Sequence, residues 1–394
     1  MGGTMSWLID HVYLIPDSSR EIEDGAVLIK QDKIAGIFER GQAESWKRDN
    51  PSAEAWNGQG LKCTPGLIDV HIHGAAGHDL ITGSQEALDA VSANLIADGC
   101  TAFAASLTVQ SHAETLAVMD RFAAARKPDH AQWLGLHMEG PYLNPRYKAL
   151  MDERWLRDPD LNELREMLDH ARGCLKIMTV APERQGMEQF IAAAAAGGVT
   201  IMIGHTAADS EAVHRARQAG AVGFTHLYNA MSQHLHREPG AVTGAFLEGD
   251  MLAELMCDGF HVDTDVVRMT YRIMGPRRLV LITDAMPGKG MPDGDFVFSG
   301  LDCRKQGTRV TVIETGRRAG SAFALPDAIR FARSATGCRD TDIVQMGCIN
   351  PARIAQVSAV KGRLAAGYDA DISLFDDDWN CRAAIVRGAW KFRK

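Results

Sequence analysis

The sequence lacks the features of a membrane-embedded or nucleic-acid-binding protein. It has no apolar segment long enough to span a bilayer, because the alanine tract Ala192–Ala196 ends at Gly197 and Gly198. It also has no long basic run, and its 42 Lys and Arg residues against 50 Asp and Glu residues give a formal net charge of −8. Nucleic-acid binding is therefore not favoured, and a small anionic substrate would need locally placed cations.

The sequence also lacks paired cysteines and a recognisable leader. Its eight cysteines are scattered, with no C-x-x-C spacing, which favours reduced and mostly buried thiols. No charged segment followed by an apolar stretch opens the chain, so we expect no signal peptide and a cytoplasmic location. We interpret Met1–Thr4 as an added or loose start before Met5.

Apolar, strand-length runs alternate with amphipathic, Ala- and Leu-rich stretches through the middle of the chain. Eight strands separated by helices imply parallel pairing, and eight strands close a (β/α)8 barrel of the α/β class. The predicted strands are Leu67–His73, Ala102–Leu107, Trp133–Glu139, Leu175–Val180, Thr200–Gly204, Val222–His226, Ala253–Asp258 and Leu279–Thr283.

Both ends of the chain are predicted to be β-rich. Alternating residues near the start and in the tail suggest one small β-sandwich made by both termini. We therefore predict a sandwich domain at residues 1–62 and 358–394 and a barrel at residues 63–357. Two helices, Gly320–Thr336 and Thr341–Val357, are predicted after the eighth strand.

Metal-binding or proton-transferring side chains stand where five of these strands should end. Barrels of this kind build their active sites at the carboxyl ends of the strands. One His-x-His pair is weak evidence, and an isolated buried histidine is more often structural, but five strand ends in regular order are strong evidence. The five groups are His71 with His73, Glu139, His205, His226 and Asp284.

Imidazole and carboxylate groups together suit a divalent metal ion. Glu139, His205 and His226 supply three protein ligands with one position open, which is typical of a catalytic metal. Asp284 is placed to transfer protons to and from a metal-activated water. His261 follows strand seven and is predicted to polarise a substrate carbonyl or bind a substrate oxygen, unless it simply packs. The ligand types accommodate zinc, our first choice, as well as iron or manganese.

The motif set resembles the amidohydrolase superfamily, and more specifically the N-acetylglucosamine-6-phosphate deacetylases. The matching motifs are HIH, MEGPY, GHT, THLYNAM with REPG, DGFHV, TDA and AGS, and they extend over most of the chain. The segments Thr225–Met231 and Arg237–Gly240 are the most specific. The resemblance implies a homodimer that removes an N-acetyl group from a phosphorylated amino sugar.

The resemblance also implies roles for individual residues. Glu139, His205 and His226 would be the primary metal ligands, and His71 with His73 would complete a second site, giving one or two ions. Asp284 would be the catalytic acid and base. The implied substrate-binding residues are Asn229, Ala230, Arg237 for the phosphate, His261, Leu150, Met151, Ala319, Gly320 and Ser321.

Two departures from the family pattern lie on the expected substrate loops. The family usually has a Lys-Gly-Ala-His-like run after strand three, whereas Tyr147–Met151 contains no histidine. An apolar residue commonly precedes Ala-Gly-Ser, whereas this chain has Arg318. The resemblance therefore leaves the substrate open between this sugar phosphate and another N-acyl amino sugar, such as the galactosamine epimer, or another N-acyl amine.

Two further alternatives are less favoured. Dihydroorotase-type enzymes often use a carbamylated lysine at the end of strand four, but Lys176 lies too far upstream of that end. A metal-binding regulatory protein without catalysis would not need every metal-site group together with Asp284.

Overall fold

A computed structural model describes residues 6–394, so the prediction for Met1–Thr4 lies outside the described residues. Its centre is a parallel sheet of eight strands in sequential order. This confirms the predicted (β/α)8 architecture. We number the strands β1 to β8: Leu67–Ile72, Cys100–Leu107, Gln132–Glu139, Leu175–Val180, Thr200–Ile203, Ala221–Phe224, Leu252–Leu255 and Leu279–Leu281.

The segment after β8 closes the ring against β1. The Asp284 backbone N–H donates to the His71 carbonyl at 2.9 Å, and the His73 N–H donates to the Ala285 carbonyl at 2.8 Å. Asp69, inside the barrel, accepts a 2.5 Å hydrogen bond from the Thr283 hydroxyl. These contacts fix Asp284 beside the two histidines of β1.

Helices follow the strands and pack outside them, as the amphipathic stretches predict. The helix Ser210–Ala219 begins where the Asp209 carboxylate accepts from the Ala212 N–H at 2.7 Å, and it ends at Gly220 with φ +119°. The other helices in this region are Gln85–Ile96, His112–Ala124, Leu161–Ala171, Met187–Ala196, Ala241–Leu247 and Thr264–Met274, with 3₁₀ turns at Leu80–Thr82, Pro145–Tyr147 and Glu153–Trp155.

The helices after β8 differ in detail from the prediction. The helix expected over Gly320–Thr336 begins only at Leu325, because Arg318–Ser321 is a strand. The expected helix Thr341–Val357 is Asp340–Val344, a π-helical turn over Gln345–Ile349, and Asn350–Ile354.

Four strands between β8 and these helices were not predicted. They form an antiparallel sheet, the excursion sheet, whose last strand bridges Ala285 through Ser321. Its buried side packs on Met286 and Leu150. The sheet therefore lies over the carboxyl end of the barrel. Its strands are Gly294–Phe298, Leu301–Gln306, Arg309–Val312 and Arg318–Ser321.

Strands from both termini form a separate sheet around its own hydrophobic cluster, as predicted. Lys62–Pro65 pairs with Ile372–Phe375, which joins the two ends of the chain. The division at residues 62 and 358 stays a prediction. The remaining strands of this sheet are Ser6–Leu14, Ile22–Lys30, Lys33–Glu39, Glu54–Asn57, Cys381–Val386 and Ala389–Arg393, with a helix at Arg40–Asp49; a two-strand ribbon, Gly74–Ala75 with His78–Asp79, lies apart after β1.

The main core fills the barrel and the layer between strands and helices. Strand β2 is buried along its whole length, as expected of a parallel strand covered on both faces. Within residues 6–394, no helix has the length and apolar character needed to cross a membrane.

Candidate active site

The predicted metal-site side chains converge at the carboxyl ends of the barrel strands. His71 lies in β1 and His73 directly follows it, Glu139 ends β3, and His205 and His226 follow β5 and β6. All five residues are buried. The parallel arrangement brings together groups that lie up to 155 positions apart in the chain, which is the separation of His71 from His226.

Glu139, His205 and His226 form the tightest group. Glu139 Oε1 lies 2.9 Å from His205 Nε2 and 3.0 Å from His226 Nε2, and the two Nε2 atoms are 3.2 Å apart. Three ligand atoms so close together, in a buried place, fit the donor set of a divalent metal ion. Since neutral imidazole nitrogens and a carboxylate offer lone pairs to the same point, a cation satisfies all three.

A second group shares Glu139. His73 Nε2 lies 3.3 Å from Glu139 Oε2 and 3.3 Å from Asp284 Oδ1, and His71 Nε2 lies 3.3 Å from His73 Nε2. His71, His73 and Glu139 therefore form another possible ligand set. Glu139 thus belongs to both sets: its Oε2 faces His73, whereas its Oε1 faces His205 and His226 and lies 3.7 Å from His71 Nε2.

The charges of the site shift the pKa values of its members. Burial lowers the pKa of His71, but the carboxylates of Asp284 and Glu139 outweigh it and raise that pKa well above its ordinary value. The pKa of His73 is raised to about 9, because its hydrogen bonds to the same carboxylates overcome burial. Burial raises the pKa of Glu139, yet the histidines hold it well below its usual range. The site thus concentrates negative charge that requires protons or a cation.

Two buried residues without a predicted role support the histidines. Glu254, on β7, accepts from His71 Nδ1 at 3.0 Å and from the His226 backbone N–H at 3.2 Å. His137, on β3, lies under His71 with 4.7 Å between ring centroids, and its Nε2 is 2.8 Å from the Thr179 hydroxyl. The sequence signal by which Glu254 could have been found is a charged residue inside the otherwise apolar strand Leu252–Leu255.

The backbone is strained at three of the site residues. His205, His226 and Asp284 have φ values of +49°, +30° and +48°, in the left-handed region that side chains other than glycine rarely adopt. Such strain clusters at functional sites, where the surrounding structure enforces it. Each of the three residues lies two or three positions past the end of its barrel strand.

A cavity of about 420 Å³ opens above this centre. Asp284 reaches it and keeps 15% of its side chain exposed, more than His71, His73 or Glu139. His261 also lines it, and Asp258 engages His261 Nδ1 at 2.7 Å, which leaves Nε2 for a ligand. The predicted substrate residues that line the cavity are Asn229, Ala230, His261, Leu150, Met151, Ala319 and Gly320.

Two predicted substrate residues are not among the described residues that line this cavity. Arg237 is exposed on the loop after β6. Ser321 is buried behind Asp284, where its hydroxyl donates to the Thr283 carbonyl at 2.6 Å. This hydrogen bond ties Ser321 to the loop of Asp284. The substrate role of Ser321 and the phosphate role of Arg237 stay predictions.

Three arginines that sequence reasoning did not assign to the substrate do line the cavity. They are Arg146, on the loop after β3, and Arg317 and Arg318 at the last strand of the excursion sheet. Of the three, Arg318 was marked in the sequence, because it stands where an apolar residue commonly precedes Ala-Gly-Ser. Lys176 lies near the start of β4, away from the strand end, as predicted.

These features define a member of the amidohydrolase family. The model of that family matches residues 63–392, and the chain belongs to it. The motif-based assignment is thereby confirmed.

Known proteins similar to this chain are named for particular substrates. The chain is 32% identical to an N-acetylglucosamine-6-phosphate deacetylase of Bacillus subtilis (strain 168), over 97% of this chain and 96% of the relative. It is 30% identical to an N-acetylgalactosamine-6-phosphate deacetylase of Escherichia coli O157:H7, over 82% and 86%. A solved Mycobacterium smegmatis N-acetyl-D-glucosamine-6-phosphate deacetylase mutant, in complex with N-acetyl-D-glucosamine-6-phosphate, superposes with TM-score 0.89 at 28% identity, covering 98% and 99%.

Proposed function

We propose that this protein hydrolyses the N-acetyl group of N-acetylglucosamine-6-phosphate to give glucosamine-6-phosphate and acetate. The observation that carries the proposal is the convergence of Glu139, His205 and His226 beside Asp284 at the base of one cavity. Relatives that align over nearly the whole chain bear this activity in their names.

The residues are suited to amide hydrolysis, in which water adds to the acyl carbon and the C–N bond then breaks. Asp284 accepts a proton from the attacking water and delivers it to the amine nitrogen as that bond breaks. His261 offers its free Nε2 to a substrate oxygen. Phe298 and Met256 line the same cavity and exclude water from its apolar part.

We propose that Glu139, His205 and His226 hold a divalent ion, with zinc as the first choice and iron or manganese as alternatives. When bound, such an ion supplies a Lewis acid and lowers the pKa of water. His71 and His73 would hold a second ion with Glu139 as the shared ligand. We also propose that the protein forms a homodimer and is located in the cytoplasm.

A second substrate is favoured by one specific observation. The loop Tyr147–Met151, which lacks the family's usual histidine, lines the cavity, and one relative acts by name on the galactosamine epimer. Hydrolysis of N-acetylgalactosamine-6-phosphate, or of another N-acyl amine, is therefore the alternative.

A deacetylation screen tests the proposal. Metal-loaded protein is assayed for acetate release from N-acetylglucosamine-6-phosphate, its galactosamine and mannosamine epimers, and the three unphosphorylated sugars. We expect the highest kcat/KM with the glucosamine phosphate and a strong preference for phosphorylated substrates. Higher kcat/KM with the galactosamine epimer supports the alternative, and no release from any of the six sugars contradicts the proposed function.

A further inference from the structure

The mouth of the cavity carries positive charge in a chain whose net charge is negative. Arg146 lies on the loop after β3, Arg318 begins the last strand of the excursion sheet and Arg317 directly precedes it, so cations approach the same cavity from two separate elements. The chain as a whole has a net charge of −8. A local cationic rim in an acidic protein is the arrangement that attracts a small anion.

These three arginines have no ion pair within residues 6–394. Neighbouring cations do: Arg304 pairs with Asp295 at 2.6 Å on the same excursion sheet, and Lys148 pairs with Glu153 at 3.3 Å on the loop after β3. Asp295 and Glu153 are thus already engaged. Guanidinium groups left without a counter-ion beside a cavity are free to pair with a ligand.

Arg318 is held in place by an aromatic ring. Its guanidinium carbon lies 4.8 Å from the centroid of Phe260, and that of Arg309 lies 4.9 Å from the same centroid. Phe260 packs against His261, with 5.3 Å between ring centroids. A cation–π contact orients a guanidinium while leaving its N–H donors free to bind an anion. Two like charges on one ring repel, and a nearby anion relieves that repulsion.

We propose that Arg317 and Arg318, together with Arg146, form an anion subsite that binds the phosphate of the substrate. The inference rests on the proposed function and adds the residues that recognise the anion. A phosphate accepts paired N–H bonds from guanidinium groups. The subsite adds these three arginines to Arg237, the residue already predicted to hold the phosphate.

The test compares Arg318→Met with Arg309→Met. Methionine keeps an unbranched side chain and removes the charge. Both substitutions remove one cation from Phe260, but of the two only Arg318 lines the cavity. KM and kcat are measured for N-acetylglucosamine-6-phosphate and N-acetylglucosamine, and the dissociation constant of glucosamine-6-phosphate is measured by calorimetry on metal-loaded protein.

For Arg318→Met we expect KM for the phosphorylated substrate, and the dissociation constant of glucosamine-6-phosphate, to rise roughly 10- to 100-fold. The kinetics of Arg318→Met on the unphosphorylated sugar should match those of the wild type. Every constant measured for Arg309→Met should also match the wild type. The triple variant of Arg146, Arg317 and Arg318 should lose more of the preference for phosphate than Arg318→Met does.

Two different results would overturn the inference. If the wild type deacetylates the sugar phosphate while the single and triple variants bind it as tightly as wild type, the subsite is wrong and the proposed function stands. If the wild type neither hydrolyses the sugar phosphates nor binds glucosamine-6-phosphate, both proposals fall together.

Discussion

At the scale of single residues, Glu139 connects the two halves of the site. Its Oε1 faces His205 and His226, and its Oε2 faces His73. The sequence predicted Glu139 and the histidines because each ends an apolar run. Glu254 was not predicted, because a carboxylate inside a strand has no motif and its partners come from β1 and the loop after β6.

Glu254→Gln should weaken metal binding without unfolding the protein. Glu254 orients His71 and the backbone of His226, and partners of this kind are typically worth 10- to 100-fold in metal affinity or activity, so we expect a loss of about that size. Competition with a chromophoric chelator measures it. Glu166→Gln, at an exposed helix position, is the control. A metal affinity equal to wild type would exclude a supporting role for Glu254.

At the scale of elements, the barrel was predictable and the excursion sheet was not. Strands such as β2 are buried along their length and read as continuous apolar runs. Leu301–Gln306 alternates buried and exposed residues and carries charges, so it lacks that pattern. The helix predicted from Gly320 was wrong at its start because Ser321 pairs with the Asp284 loop.

Gly320→Ala should lower kcat while the metal content stays unchanged. Gly320 has φ +36°, and an added Cβ would come within 2.8 Å of the Asp284 carbonyl and closer to Met286, so the loop of Asp284 must move. Gly316→Ala is the matched control, because Gly316 also has a positive φ of +65° but has open space around it. We expect the control to cost roughly 1 kcal/mol of stability and no activity. Equal kcat in both variants would contradict a role of the excursion sheet in positioning Asp284.

At the scale of the whole molecule, the joined termini and the buried thiols agree with the predictions. The two ends share one sheet. All eight cysteines are free, and seven of them are buried. The arginines at the cavity mouth could not be predicted from local patterns. They come from segments distant in the sequence, which the complete fold brings to one cavity.

Thiol labelling of the native protein should be slow and limited to Cys174. It is the one partly exposed cysteine in the described chain, and burial raises its pKa to about 11. Only the thiolate reacts, so at pH 8 we expect labelling roughly 100-fold slower than in unfolded protein, accelerating as the pH rises. Ellman's reagent before and after denaturation measures this. Rapid reaction of several native thiols would contradict the buried arrangement.

Metal binding should stabilise the folded protein. An ion that binds only the folded state at 100 times its dissociation constant adds about 2.7 kcal/mol to the free energy of unfolding. Denaturant titrations with and without zinc measure it. In Glu139→Gln the increment should largely disappear, and an equal increment in that variant would place the ion elsewhere.

We propose above that Asp284 transfers protons at a metal site built from Glu139, His205 and His226. The most direct measurement is kcat of metal-loaded wild type and Asp284→Asn on N-acetylglucosamine-6-phosphate, with metal content determined for both. We expect equal metal loading and a loss of roughly 10²- to 10⁴-fold in kcat for Asp284→Asn. Equal rates in the two proteins, or equal inertness across a broad panel of N-acyl amines, would contradict it.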